Sequence, residues 1–138
     1  MTKNREYKPY EGEPPIPKPE KPVQPNIVTV QDGVPIKYPN FDGLGVRVLH
    51  PTNPKAPSKN LSLVMLYVPP HVVMKPHSHY TEECYVTLRG QGTMTLAGKR
   101  VKVRVGTFIH LPAWCEHGVE NTGDEMLEFM LAVAPPNP

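Results

Sequence analysis

The sequence predicts an all-β domain, an antiparallel β-barrel of short strands. Three observations predict it. The chain carries 19 prolines among 138 residues, and proline removes a backbone donor and blocks helix interiors. Short apolar runs alternate with polar residues at the two-residue period of a strand. Turn residues, chiefly Gly, Pro, Asn and Asp, interrupt those runs too often for an amphipathic helix of useful length. With 38% hydrophobic and 20% charged residues, the chain has the composition of one globular domain with one core.

Taken in order, residues 1–25 stand apart. Pro9, Pro14, Pro15, Pro17, Pro19, Pro22 and Pro25 fall here among Lys and Glu, a composition that buries little apolar surface and favours extended chain. The expectation is a Pro-rich N-terminal arm, with Tyr7, Tyr10 and Ile16 as anchors if it crosses a partner subunit. Residues 26–138 form the barrel. Asn26–Val30 reads as its first strand and Gly45–Leu49 as another, where Val46 and Val48 alternate with Arg47. The loop His50–Asn60 follows, carrying Pro51, Pro54 and Pro57. Leu61–Val68 reads as a buried strand, and the next begins at Val72 and Val73. Gly92–Leu96 and Arg100–Val105 flank Ala97-Gly98, the clearest hairpin signal in the chain. Phe108–Leu111 ends at Pro112. Gly118–Glu120 and Met126–Val133 complete the series around the turn Asn121–Asp124. About nine or ten short strands at this spacing suit a barrel.

Several function classes are set aside on composition. The net charge of +2 is too small to make nucleic acid or a membrane surface the main partner. The basic run KRVKVR reads as the solvated face of a strand, because Val101, Val103 and Val105 alternate with its cations. No apolar run is long enough for a transmembrane helix, and the N-terminus lacks the apolar segment of a secretory signal. Two cysteines, Cys84 and Cys115, make no disulfide framework, so the cytoplasm is the expected compartment.

The chemistry starts at His77-Ser78-His79. Residues two apart on a strand share a face, so two imidazoles can approach one metal ion. Glu83 and His117 can add a carboxylate oxygen and a third imidazole. Glu83 is preferred over Glu82 because it shares the odd-numbered parity of the two histidines. Three nitrogens and one oxygen suit iron, manganese, zinc, nickel or copper alike.

The wider spacing resembles the cupin superfamily. Its first motif has a glycine, an H-x-H, a glutamate and a closing glycine. At that spacing this chain has His71, His77, His79, Glu83 and Gly90, with His71 replacing the first glycine. Its second motif has a glycine, a proline, a second glycine, a histidine and an asparagine. Here they read Gly106, Pro112, Trp114, His117 and Asn121, with Trp114 replacing the middle glycine. The resemblance covers roughly residues 44–134 and leaves the arm outside it.

The resemblance implies a jelly-roll or double-stranded β-helix barrel and one divalent transition metal held by His77, His79, Glu83 and His117. It also implies a homodimer and a small-molecule substrate. Since fold does not fix reaction, the activity expected first is a dioxygenase. The alternatives are a non-redox isomerase, lyase or cyclase, and a non-catalytic, sugar-type binding module. Tyr85, two residues beyond Glu83, and His110 are the candidate catalytic acid–base groups. Trp114 is a candidate cap on the barrel mouth.

Overall fold

The computed structural model describes residues 4–138. A single 3-10 turn at Val30–Asp32 precedes ten strands: β1 (Val34–Ile36), β2 (Leu44–Leu49), β3 (Ser62–Val68), β4 (Val73–His77), β5 (Glu82–Arg89), β6 (Gln91–Leu96), β7 (Lys99–Arg104), β8 (Phe108–Leu111), β9 (His117–Glu120) and β10 (Leu127–Ala134). They form two antiparallel sheets. One has the order β1-β2-β3-β10-β5-β8 and the other β4-β9-β6-β7. The two sheets close over one core, with Leu66, Tyr85 and Phe129 from the first against Met74, Met94 and Val119 from the second.

The period-two patterns account for most of this. In β3 and β10 every second residue is buried, and the two strands pair from Leu127–Val68 through Val133–Ser62. The hairpin of β6 and β7 turns on Ala97 and Gly98, at φ 47° and 84°. Two consecutive positive φ values give the turn whose twist matches the flanking strands. In β7 only Val103 is buried. Its Arg and Lys side chains face solvent along the sheet edge, where charge discourages pairing with another chain.

Two expectations change. Asn26–Val30 is not a strand, and residues 4–29 contain no helix or strand. The Thr29 amide donates to the Asp32 carboxylate at 2.9 Å, and this local bond supports the tight turn in place of a ladder. The first strand is the shorter β1. It contains Pro35, which can donate nothing to a ladder, and accordingly β1 lies at the sheet edge. The arm residues Tyr7, Tyr10 and Ile16 are all exposed. In β2, Arg47 stands opposite Val64 and so faces the interior with it, while Val46 faces outward against the segment at Gly33.

Candidate metal centre

His77 ends β4 and stands opposite His117, the first residue of β9. A register irregularity between Met74 and His77 contains Pro76, and Gly118 lets the strands approach: a Cβ there would lie 2.9 Å from the Met74 carbonyl. His79 is not on a strand. It lies in the short turn between β4 and β5, so the same-face argument for H-x-H does not describe its placement. The Trp114 amide donates to the His79 carbonyl at 2.8 Å and ties that turn to the loop entering β9. Glu83 is the second residue of β5 and points inward.

The three imidazoles offer nitrogens that all lie within 4.8 Å of one another. Glu83 joins them, with one carboxylate oxygen 3.0 Å from His79 Nε2 and the other 4.0 Å from His117 Nε2. The sequence-predicted four are thus brought together around one point.

The tautomers follow from the neighbours. His77 Nδ1 faces the Lys75 carbonyl at 3.1 Å, His79 Nδ1 the Thr81 carbonyl at 3.2 Å, and His117 Nδ1 the Cys115 carbonyl at 2.9 Å. A carbonyl can only accept, so each Nδ1 carries the proton and each Nε2 is left with its lone pair. His79 Nδ1 also meets the Thr81 hydroxyl at 2.7 Å, and that hydroxyl donates onward to Asn137 Oδ1 at 3.0 Å. Main-chain or hydroxyl partners on the far ring nitrogen are how proteins orient metal-binding histidines.

Electrostatics agrees with this reading. Burial pushes the His117 pKa down to about 4, against the raising effect of the Cys115 carbonyl. Burial likewise lowers His79. Both rings therefore stay neutral at pH 7. Burial pushes Glu83 up to about 7, although the Tyr85 hydroxyl beside it pulls the other way. The 3.0 Å contact of Glu83 with His79 is then not an ordinary ion pair. One proton shared between a carboxyl and an imidazole lone pair satisfies both pKa shifts. His117 Nε2 is buried and has no hydrogen-bond partner. An orphaned lone pair, two aligned imidazoles and a desolvated carboxylate are a donor set that fits a divalent transition cation.

A cavity of about 220 Å³ adjoins the cluster, walled by Val64, Leu66, Leu131 and Val133 and bearing Tyr38, Arg47, His50 and Asn137. Typical ligand pockets occupy roughly 300–1,000 Å³, so this one suits a small molecule. Tyr85 is fully buried, lines the cavity, and packs edge-on against His117 and Phe129, with ring centroids 5.6 and 5.1 Å away. A larger apolar groove lies on the outer face, lined by Val28, Leu63, Met65, Tyr67 and Met130, and none of the cluster reaches it.

His110 is elsewhere. In β8, Ile109 and Leu111 are buried and His110 is exposed, so strand alternation turns it out of the barrel. Its Nε2 meets Glu82 at 2.5 Å on the outer surface. The expectation that His110 serves the site is therefore corrected, and Glu82 is removed as a competing ligand by the same pair. Trp114 is 67% exposed and does not line the cavity.

The family model for the cupin domain matches residues 64–133. The chain belongs to the cupin family. An uncharacterized protein of Methanocaldococcus jannaschii is 34% identical over 101 residues, covering 72% of this cupin and 79% of that protein. The dimethylsulfoniopropionate lyase DddW of Ruegeria pomeroyi is 34% identical over 61 residues, which are 44% of this cupin and 40% of the lyase. This cupin therefore matches less than half of that enzyme. The polyketide cyclase RemF of Streptomyces resistomycificus superposes with a TM-score of 0.68 at 19% identity, covering 80% of this cupin and 81% of RemF. That likeness is one of fold.

The two motif glycines that this cupin lacks are informative. His71 and Trp114 have φ values of 67° and 66°, the left-handed conformation that glycine adopts without steric cost. The backbone keeps the family's turns while carrying side chains there. Tyr38, Arg47, His50 and Asn137 line the cavity from outside both motifs, and sequence reasoning assigned them no role.

Proposed function

We propose that this cupin is a metal-dependent enzyme acting on a small organic molecule. One observation carries the reading: three imidazole Nε2 atoms and a buried carboxylate converge beside a small cavity, each ring held from behind. His77, His79, Glu83 and His117 would hold one divalent transition metal. Such a metal supplies Lewis acidity and a place to orient substrate oxygens. Tyr85 is the proton donor of the proposal. Burial, and then the charge of Glu83, hold its hydroxyl well above the ordinary tyrosine value, so it remains protonated at neutral pH. The apolar walls exclude water and strengthen the field that Tyr85 and Glu83 exert.

The position of Tyr85 favours proton-transfer chemistry of the lyase, isomerase or cyclase kind, and the resemblance to a lyase supports that direction. The dioxygenase remains a second reading, supported by the apolar wall around the cluster. Elemental analysis of protein purified without added metal, beside His77→Ala, tests the common ground. About one metal per chain, lost in the variant, is expected. Turnover of candidate small acids and ketones in the absence of air, reduced in Tyr85→Phe, supports proton transfer. Oxygen consumption tied to product supports the dioxygenase. A folded sample that takes up no transition metal overturns both.

A further inference from the structure

Among the described residues, Arg47 is the one Arg or Lys lining the cavity. It lies in a row that crosses the six-stranded sheet: Arg47 opposes Val64, Val64 opposes Leu131, and Leu131 opposes Tyr85. Opposed residues share a face, so Arg47 and Tyr85 look into the same space from two ends of one row. Three strand spacings separate their backbones by about 14 Å. Tyr38 also lines the cavity, its hydroxyl within the electrostatic reach of both Glu83 and Arg47, and its ring packs on Gly45, where a Cβ would come within 2.6 Å.

The guanidinium pairs with no Asp or Glu side chain among the described residues. Its Nη2 donates to the main-chain oxygens of Pro138 at 2.6 Å and Asn137 at 3.5 Å. His50 is buried beside it. Its Nδ1 accepts from the Thr52 amide at 3.1 Å, so its Nε2 carries the proton and donates to the same Asn137 oxygen at 2.7 Å. Two donors of the cavity thus converge on the oxygens of one short segment. An anion with two oxygens would satisfy both donors at once, since a charged acceptor strengthens each bond and Arg matches a carboxylate fork.

We propose that Arg47 and His50 form a carboxylate-binding end of the cavity, so that the substrate class is a small organic acid held with its other end at the three-histidine cluster. The inference rests on the cavity's being the substrate site, as proposed above. The segment at Asn137 and Pro138 yields its place on Arg47 when the acid enters.

Calorimetric titration with propanoate and benzoate against propanamide and benzamide tests this at neutral pH. It is run on the purified protein and again after chelation, so that direct binding of an acid to metal is removed. The acids are expected to bind at least about tenfold more tightly than their amides in both preparations. Arg47→Gln abolishes that preference, and Arg47→Lys restores part of it, having charge without the fork. Equal binding of acids and amides to the chelated wild type overturns the proposal and requires no variant. So does an Arg47→Gln protein that keeps the preference, or the absence of saturable acid binding. Metal content measured on the same samples separates the two readings. A chain that takes up no metal yet prefers acids through Arg47 keeps the acid site and sinks the metal enzyme. A metal-loaded chain without the preference does the reverse.

Discussion

Replacing Glu83 with glutamine separates the two demands that the cluster makes on that carboxyl. Glu83 is 4% exposed, and burial raises its pKa from 4.5 to about 7. A raised pKa means that the folded chain holds the proton more tightly than the unfolded chain. The stability this provides is fully present below pH 4.5 and is lost as pH rises through about 7. The difference between the two values corresponds to about 3 kcal/mol. His117 runs the other way. Its pKa falls from 6.5 to about 4, so its contribution is present above pH 6.5 and disappears as pH falls toward 4. Glu83→Gln leaves His117 in place, so the comparison of variant with wild type cancels the His117 contribution and reports the carboxyl together with its contact to His79. In chelator, urea denaturation between pH 4 and 8 is expected to show the variant gaining on the wild type by about 3 kcal/mol across that range. With a divalent transition metal added at pH 8 the order inverts, because the wild type gains a ligand-linked increment that the variant lacks. A difference that stays flat with pH in chelator, or that favours the wild type there, refutes the desolvated-carboxyl account. An order that fails to invert with metal refutes the role of Glu83 as a ligand.

Three further outcomes follow from the geometry. Thr81→Val removes the hydroxyl that orients His79 and is expected to weaken metal binding about 10- to 100-fold, read by competition with a chromogenic chelator. His110→Ala breaks only an exposed pair with Glu82. It should leave metal content and turnover unchanged and shift stability by less than about 1 kcal/mol, measured by denaturant unfolding. Trp114→Gly relieves a non-glycine residue at φ 66° whose side chain is largely exposed, and a gain of about 1 kcal/mol is expected in the same assay.

The parts of the molecule that were legible in the sequence are those set by local pattern. The hairpin around Ala97-Gly98, β3 and β10 followed from alternation and turn chemistry, because one face of each is buried and one is not. The candidate ligand set came from the H-x-H spacing together with the cupin resemblance of His77, His79, Glu83 and His117. The reason offered for it was only partly right, since His79 reaches the cluster from a turn and is held there by Thr81 and Trp114. His110 shows where parity helps: with Ile109 and Leu111 on either side, an inward histidine would have exposed both apolar neighbours. That signal was present and could have excluded it. Asn26–Val30 shows where composition misleads. Its β-branched residues suit a strand, yet the Thr29–Asp32 bond competes with a ladder, and Pro35 confines the pairing that does form to an edge.

The cavity's far end was not legible, for a physical reason. Whether Arg47 faces in or out depends on which side of β2 meets the second sheet, and the alternation Val46-Arg47-Val48 is compatible with either. The outward valines find cover from the segment at Val30–Gly33, which frees the inner face for a cation. His50 and Asn137 are 87 residues apart in sequence, and their meeting depends on β10 returning beside β3. The candidate metal motif can be read along the chain because His77, His79 and Glu83 fall close together, at the end of β4, in the turn after it and at the start of β5. The groups that would select the substrate are supplied by the rows of the sheet, which exist only once the strands have paired. In this molecule the two sets share the cavity through one residue. Asn137 offers its main-chain oxygen to Arg47 and His50 and its side chain to Thr81, behind His79. An acid that displaces that segment from Arg47 would therefore also disturb the hydrogen bond that orients a proposed metal ligand, which would couple substrate entry to the geometry of the centre.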